Sequence, residues 1–454
     1  MKELIVFIEN LSVVPTINRA VHVTKMGYQC AIITRPLTEH ERTKIAQLEA
    51  ENDIPALFAE IMETTDFGYE ELEKKMCMLE ETYKISAVLS ILGLFSSAGL
   101  LGADVAKIAE KRGLPSQDSD ALYRTNNKYL MRDALRHAGV LTVDYGLAVD
   151  VDSAVAHAER IGYPVILKPI NGVASHLILK SHNQQEVRDN FTYALQKLPD
   201  CNYSNLYASC HTYATKDGKL IDFNPMGCML VEKYMNGREA SVEMVITEKE
   251  IIPLLVHDKL KVTEEKQVFY EHLLVVPPLR FTEKEIEELK NYAVEAVRAV
   301  GLKNSLSHVE LRYDEKLGPQ VLEINPRIGG MCVKDSLETM LGFDSVKAQL
   351  GIVLGTFELP TLPNQEQTPH AMFTLYPKES GILRAVNGLE ELEKIPGVLR
   401  VTQVYPIGAE IRGDEEEVFL VMCWMRGESY EHIEQVYEKA CELVTFEIEK
   451  LVKV

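Results

Sequence analysis

The stretch that decides the fold is residues 307–327, SHVELRYDEKLGPQVLEINPR. Two runs of alternating polar and apolar residues flank the polar turn 314–318, and a turn this short joins neighbouring antiparallel strands. Successive strand side chains point to opposite faces, so His308, Glu310 and Arg312 share one face while Val309 and Leu311 take the other. On the second run Glu323, Asn325 and Arg327 share a face, and Leu322 and Ile324 back onto apolar packing. Two carboxylates and an amide therefore converge. Hard oxygen donors of this kind suit Mg2+, which takes one or two carboxylates and fills its other positions with water and phosphate oxygens. A solvated hairpin face is the ordinary alternative for a single Glu-x-Asn. Here both strands segregate charge from apolar residues, and Pro326 with Gly329 and Gly330 ends the second strand abruptly, where backbone can approach a ligand. The pattern predicts a metal site with Arg327 beside it.

The 454 residues carry 48 basic and 68 acidic side chains, a formal net charge of -20. No basic stripe could neutralise many phosphates, so a nucleic-acid partner is excluded, whereas a small anion needs only local positive charge. A 46% hydrophobic content is that of a soluble globular chain, with room for roughly three domains. The eight cysteines are scattered, with no CxxC and no zinc spacing, as expected of reduced cytoplasmic thiols. The apolar run after Lys2 stops at Glu9, too soon for a secretory leader. Residues 85–103 are uncharged and approach the length of a membrane span. Their serines, their glycines and the opening ISAVLSI read instead as a buried parallel strand, a loop and a helix. A cytoplasmic protein without membrane contact is expected.

Residues 1–118 alternate strand and helix (ELIVFIE, a helix near 17–25, YQCAIIT, further helices, ISAVLSI), a doubly wound α/β pattern. No GxGxxG follows the first strand, so no dinucleotide site is predicted there. The loops 10–16 and 92–97 leave the carboxyl ends of strands and are candidate walls of a cleft. TNNKYLMRDALRHAG, residues 125–139, reads as a helix capped by Asn126 or Asn127 and stopped by Gly139, which puts Lys128 in its first turn. GYPVILKP, residues 162–169, is a nearly continuous apolar strand ending in Lys168, whose ammonium either faces a ligand or snorkels to solvent. In FTEKEIEELKNYAVEAVRAVGL, residues 281–302, Thr282 and Glu285 form a capping box, and Ile286, Leu289, Ala293, Ala296 and Val300 form an apolar stripe. This helix is scaffold. Residues 360–369, PTLPNQEQTP, read as a linker. Beyond it come strands near 371–376, 399–405 and 418–424 and a terminal helix with Ile433, Val436, Ala440 and Val444, a small α+β domain.

HVELR followed by LEINPRIGG resembles the metal-binding signature of the ATP-grasp superfamily. The resemblance implies that Glu310 and Glu323 bridge magnesium ions, that Asn325 completes the coordination and that Arg327 contacts reacting phosphoryl and acyl oxygens. It implies further that Lys128 and Lys168 bind ATP, and that PINGVASHLILK, with Gly172, Ala174 and Ser175, is a flap whose backbone approaches phosphate. MLVEKYMNGREASVEMVI resembles the adenine hinge, with Glu232 and the backbone of Lys233 and Met235 reading the base and Glu239 reaching the ribose. HDK and FYEH resemble elements of bacilysin-type L-amino acid ligases, in which Lys259 would face phosphate and Glu271 would bind substrate. The histidine of that second element has no counterpart here, since Leu274 stands in its place. Met331, four residues beyond Arg327, stands where those ligases carry a bulkier tryptophan, which implies a roomier pocket for the first substrate.

The expected architecture is α/β and α+β: an ATP-grasp fold with an N-terminal doubly wound parallel-sheet domain and a small C-terminal α+β domain. The divisions are residues 1–118, 119–360 (lid about 140–235, metal and phosphate part about 236–360) and 361–454. The resemblance implies a carboxylate-amine ligase acting through an acyl phosphate, with ATP and two Mg2+ ions (Mn2+ as an alternative) as cofactors. Its substrates would be small carboxylates and amines, amino acids above all, and a homodimer is compatible with the chain. Arg327 and the amide of Gly329 or Gly330 would stabilise the oxyanion. Two other readings stay open: a ligase of the same superfamily acting on a nucleotide-pathway or central metabolite carboxylate, which needs extra positive charge near the cleft, and a non-catalytic ATP-binding regulator.

Overall fold

Six of the seven residues of the strand Glu3–Glu9 are buried, and such a strand needs cover on both faces. The computed structural model, which describes residues 2–95, 98–172, 176–201, 207, 210–264, 269–362, 368–412 and 417–450, supplies it. Four parallel strands run in the order Glu60–Glu63, Gln29–Thr34, Glu3–Glu9, Lys84–Leu89. Ile5 and Phe7 pack toward the helices Val14–Lys25, Glu39–Asn52 and Ser345–Val353. Leu4, Val6 and Ile8 pack toward Tyr69–Glu80 and Leu101–Lys111. This is the doubly wound arrangement expected, and strand order reverses direction at the Glu3–Glu9 and Lys84–Leu89 pair, where such sheets open a crevice. Residues 85–103 resolve into that edge strand, a 3-10 turn Leu92–Leu94 and the start of the helix Leu101–Lys111. Among the described residues no helix is long and apolar enough to cross a membrane.

Two further sheets face each other across a cleft. The smaller runs Tyr145–Ala148, Met229–Lys233, Val165–Lys168, Leu179–Ser181, antiparallel throughout. The helices Val151–Ile161 and Gln184–Lys197 back it through Val155, Ala158, Val187 and Phe191. The larger has eight strands in the order Gly318–Asn325, Ser305–Asp314, Arg238–Ile246, Ile251–Glu264, Phe269–Val276, His370–Leu375, Val421–Arg426, Val398–Gln403. The scaffold helix Glu283–Val300 packs on its first strands, capped by the reciprocal Thr282 and Glu285 bonds and ended by Gly301 at φ 85°.

The C-terminal strands depart from the segmentation expected. His370–Leu375, Val421–Arg426 and Val398–Gln403 continue the central sheet, and only Glu410–Ile411, Gly381–Asn387 and Thr445–Glu449 form a sheet of their own. Alternation marks a strand without naming its neighbour, so the join was invisible in sequence.

The hairpin also carries a surprise. Glu310 pairs with Glu323 and His308 with Asn325, but Leu311 pairs with Val321, leaving Leu322 as an extra residue. A bulge of this kind turns one side chain out of the alternation. Val321 and Ile324 are therefore the core residues, while Leu322, expected in the core, lines the cleft.

Candidate functional site

The cleft between the two sheets collects residues from eight helices and strands. Lys128 enters from the first turn of the helix Lys128–His137, whose cap Asn127 accepts bonds from the amides of Tyr129 and Leu130. Asn126 instead ends the preceding helix Ser119–Asn126. Lys168 comes from the end of its strand, and Glu232, Lys233 and Met235 from the hinge between the two halves. Glu239, Glu271, Glu310, Glu323, Asn325 and Arg327 project from the larger sheet and its loops. Ile166, Ile178, Leu322 and Met235 supply apolar walls beside the hinge, a slot suited to a flat heterocycle.

Within this cleft nearly every acid is met by a base. Lys128 Nζ lies 2.9 Å from Glu323 Oε1. The Lys259 ammonium, 1% exposed, is enclosed by Glu239 Oε1 at 3.0 Å, Glu310 Oε2 at 2.8 Å and Glu271. Burial disfavours its charge, yet the three carboxylates outweigh that cost and hold it well above the ordinary lysine value. Glu310 lies well below the ordinary range: burial would raise it, but Lys259 and His308 prevail. Asn325 Nδ2 donates to Glu310 Oε1 at 3.3 Å, and Arg327 Nη2 donates to Asn325 Oδ1 at 3.3 Å.

The hinge is built on a buried triad. Glu232 Oε1 is 2.5 Å from Lys168 Nζ, and its Oε2 accepts from Arg132 Nε at 3.0 Å. Burial lowers the Lys168 pKa to about 8 in spite of Glu232. Both oxygens of the Glu232 carboxylate are thus committed to cations rather than turned freely into the cleft. Lys233 Nζ is likewise turned away, onto the carbonyls of Gly162 and Tyr163 at 2.8 and 2.9 Å.

Several other placements were not foreseen. Arg132 also donates to the Val321 carbonyl at 2.6 Å, tying the helix Lys128–His137 to the strand Gly318–Asn325. Arg312 donates to Glu239 Oε2 at 3.1 Å, the Met235 carbonyl at 2.8 Å and Glu264 Oε1 at 2.8 Å, fixing Glu239 against the residues that follow Met229–Lys233. Glu243, fully buried, pairs with His308 and accepts from the Gly329 amide at 3.0 Å. The Gly329 amide is thus committed to Glu243. Glu417, from the C-terminal region, lines the cleft beside Glu271. Leu274 is buried in apolar packing, and His272 lies against Tyr270, Tyr376 and Tyr437. Ser175 lies outside the described residues.

A second cavity adjoins the first, and Phe95 and Arg327 line both, with the guanidinium 4.0 Å from the Phe95 ring centroid. It sits at the carboxyl ends of the N-terminal strands, as the crevice rule requires. Leu92, Leu94, Val105 and Ile352 give it apolar walls, and Arg19, Gln117, Ser305 and Lys334 give it polar ones. Met331, at φ 53°, lines neither cavity; it packs on the apolar cluster containing Cys332, Leu337 and Trp424.

Residues 161–335 match the ATP-grasp domain family, and residues 373–449 match L-amino acid ligase C-terminal domain 2. The chain thus has an ATP-grasp fold, with an ATP-grasp domain at 161–335. Among the relatives of this chain, the alanine--anticapsin ligase of Bacillus subtilis (strain 168) is 21% identical over 288 residues, 61% of this chain and 57% of that one. The chain spans about three-fifths of the length of the first curated relatives it matches, 61% and 57%. An L-amino acid ligase from Bacillus licheniformis superposes with a TM-score of 0.73 at 19% identity, covering 99% of both chains. A phosphoribosylglycinamide synthetase from Anaerococcus prevotii follows with a TM-score of 0.64 at 16% identity, covering 99% of this chain and 100% of that one. At these identities the likeness to both structures is one of fold.

Proposed function

We propose that this ATP-grasp chain is an ATP-dependent carboxylate-amine ligase that makes an amide or peptide bond through an acyl phosphate, with L-amino acids as substrates. The observation that carries the reading is the cross-strand pair Glu310 and Glu323 set in the same cleft as Lys128, Lys168 and Arg327, beside an apolar slot. Magnesium fits the donor set: two facing carboxylates and the Asn325 amide are hard oxygen ligands, and each carboxylate is neutralised by an ammonium that an ion could displace. When bound, Mg2+ would neutralise charge as the phosphoryl group moves, with two ions fitting the carboxylate count and Mn2+ able to substitute.

The chain's own residues do the rest. Lys128 and Lys168 hold phosphate oxygens, the backbone at Lys233 and Met235 reads the adenine edge, Glu239 meets the ribose, and Lys259 keeps three carboxylates in place. Arg327 and the Gly330 amide stabilise the oxyanion formed when an amine attacks the acyl carbon. Closure of the flap after Lys168 excludes water, which would hydrolyse an acyl phosphate. The second cavity, reached past Arg327, takes the body of the carboxylate substrate.

Arg19 and Lys334 in that cavity favour a second reading, a substrate carrying a further phosphate, as in a nucleotide-pathway ligase. Incubation with MgATP and L-amino acids, singly and in all pairs, separates the two when phosphate release is followed with mass spectrometry. Pair-dependent ADP with a condensed product supports the dipeptide reading. Silence with every pair, and turnover with a phosphorylated amine or carboxylate, supports the second.

A further inference from the structure

The second cavity differs in charge from the cleft it adjoins. Among its described lining residues there is no carboxylate, and there are three cations, Arg19, Arg327 and Lys334. Arg327 stands at the boundary, since it lines the cleft as well. Two helices that contribute nothing to the cleft make another wall. Pro15 and Arg19 are four residues apart on Val14–Lys25, and Ser345, Gln349 and Ile352 recur at helical spacing on Ser345–Val353, so each helix turns one face to the cavity.

Arg19 is held in place without being neutralised. Its Nε donates to Gln349 Oε1 at 3.3 Å and its Nη1 to the Pro15 carbonyl at 3.1 Å. Among the described residues no carboxylate pairs with it. The acid that acts on it is Glu9, whose oxygens accept from Thr16, Ser90 and the amides of Ile91 and Leu92. Burial raises the pKa of that carboxyl to about 7, so at neutral pH it supplies only part of a counter-charge. A guanidinium does not shed its proton in response. Two more polar atoms on the cavity wall are buried without a partner in the described chain: Ser345 Oγ, in a residue 2% exposed, and Arg327 Nε. Buried polar atoms are ordinarily satisfied, and these two share a cavity with a cation that lacks an anion. Ser345 also stands one turn before Gln349, the residue that holds Arg19. Other polar wall residues are committed to the fold, Gln117 to Ser305 Oγ and the Pro326 carbonyl, and Asn304 to the Ser116 carbonyl and Glu248.

We propose that the carboxylate substrate carries a second anionic group, a carboxylate or a phosphate, which Arg19 and Ser345 bind while the carboxyl to be activated lies toward Arg327. The proposal rests on the ligase reading above, whichever of its two substrate classes holds. A neutral aliphatic side chain would pack against Leu92, Leu94 and Val105, but it would strip water from Arg19 and replace it with nothing polar. An anion brings charge-assisted hydrogen bonds to the guanidinium fork. The cavity measures about 250 Å3, below the roughly 300–1,000 Å3 of sites for drug-sized ligands. The acid is therefore small, of the size of aspartate, glutamate or a phosphorylated serine.

The test compares acids of one shape and different charge. L-Glutamate with L-glutamine and L-aspartate with L-asparagine are such pairs, and O-phospho-L-serine with L-serine adds the phosphate. Hydroxylamine traps an acyl phosphate as a hydroxamate, so each acid can be assayed alone with MgATP. The wild-type protein is expected to favour the charged member about 10- to 100-fold in kcat/KM, and the pair with the larger preference tells carboxylate from phosphate. Arg19→Met should cut that preference about tenfold or more. Arg19→Lys, which keeps the charge and loses the fork, should cut it less. Ser345→Ala should lower kcat/KM for the charged acid several-fold with an unchanged urea midpoint, because its hydroxyl has no partner within the described chain to lose. Hydroxamates made with a preference for the neutral acids, or with a preference that survives Arg19→Met, overturn the proposal while the ligase reading stands. Silence with every acid overturns the ligase reading and the proposal with it.

Discussion

The Lys128 ammonium lies 2.9 Å from Glu323 Oε1, so the lysine we propose for nucleotide phosphate is held by the carboxylate we propose for metal. Lys259 stands in the same relation to Glu310 at 2.8 Å. On the proposed roles each cation would compete with Mg2+ for its carboxylate. Loading nucleotide and ion together would release Lys128 onto phosphate and Glu323 onto metal, which couples the two binding events. Lys128→Met should tighten the binding of Mn2+ alone, as a magnesium surrogate, by several-fold to about tenfold, near 1.4 kcal/mol. It should also weaken MgATP by at least as much. Calorimetric titrations of both would sink this competition if the two affinities moved in the same direction.

The hairpin could be read from sequence because one alternation fixes both the strand and the face. Glu310, Glu323 and Asn325 followed from it directly. Lys128 was legible through its cap and Lys168 through its strand end. Arg132 was not, since a mid-helix arginine has no local mark of burial; only the fold shows it joining Glu232 to the Val321 carbonyl. Leu322 was misassigned because a bulge depends on the partner strand. Glu417 was out of reach for a related reason: its position depends on which strands Val421–Arg426 joins.

The Glu232 triad should be costly to break. Glu232→Gln would leave Lys168 and Arg132 as buried charges without a counter-ion, a loss of about 3–5 kcal/mol. Urea unfolding should show this as a lower midpoint with unchanged slope. Binding should also depend on pH in the wild type. With the Lys168 pKa lowered to about 8 by burial, the ammonium is lost as pH rises past that point. MgATP affinity should therefore fall above about pH 8, and Lys168→Met should flatten that dependence while lowering affinity throughout. A wild-type affinity independent of pH across that range would contradict the role given to Lys168.

Substrate size offers a paired comparison. Leu94 lines the second cavity and Met331 lines neither. Leu94→Trp should shrink the set of accepted carboxylate substrates toward smaller side chains, with overpacking costing about 1–3 kcal/mol of stability. Met331→Trp should leave the set unchanged. The opposite pattern in a substrate panel would move the pocket to Met331 and away from the N-terminal crevice.

Glu9 gives the N-terminal half its own pH dependence. Its buried carboxyl accepts from Thr16 Oγ1 at 2.8 Å, Ser90 Oγ at 3.1 Å, and the amides of Ile91 and Leu92 at 2.6 and 3.1 Å. Burial still wins over these bonds and raises its pKa from 4.5 to about 7. The folded state therefore keeps a proton that the unfolded chain has already released. The stabilisation is full below about pH 4.5 and is lost as pH rises through about 7, an effect of order 3 kcal/mol at most. Glu9→Gln, which cannot ionise, should remove that part of the slope of stability against pH. Since Glu9 ties the loops leaving two strands to one wall of the second cavity, the same variant should leave MgATP affinity unaltered while changing the turnover of carboxylate substrates. Denaturation midpoints of both proteins across this range would settle it, and parallel curves would show that the Glu9 carboxyl is already ionised in the fold.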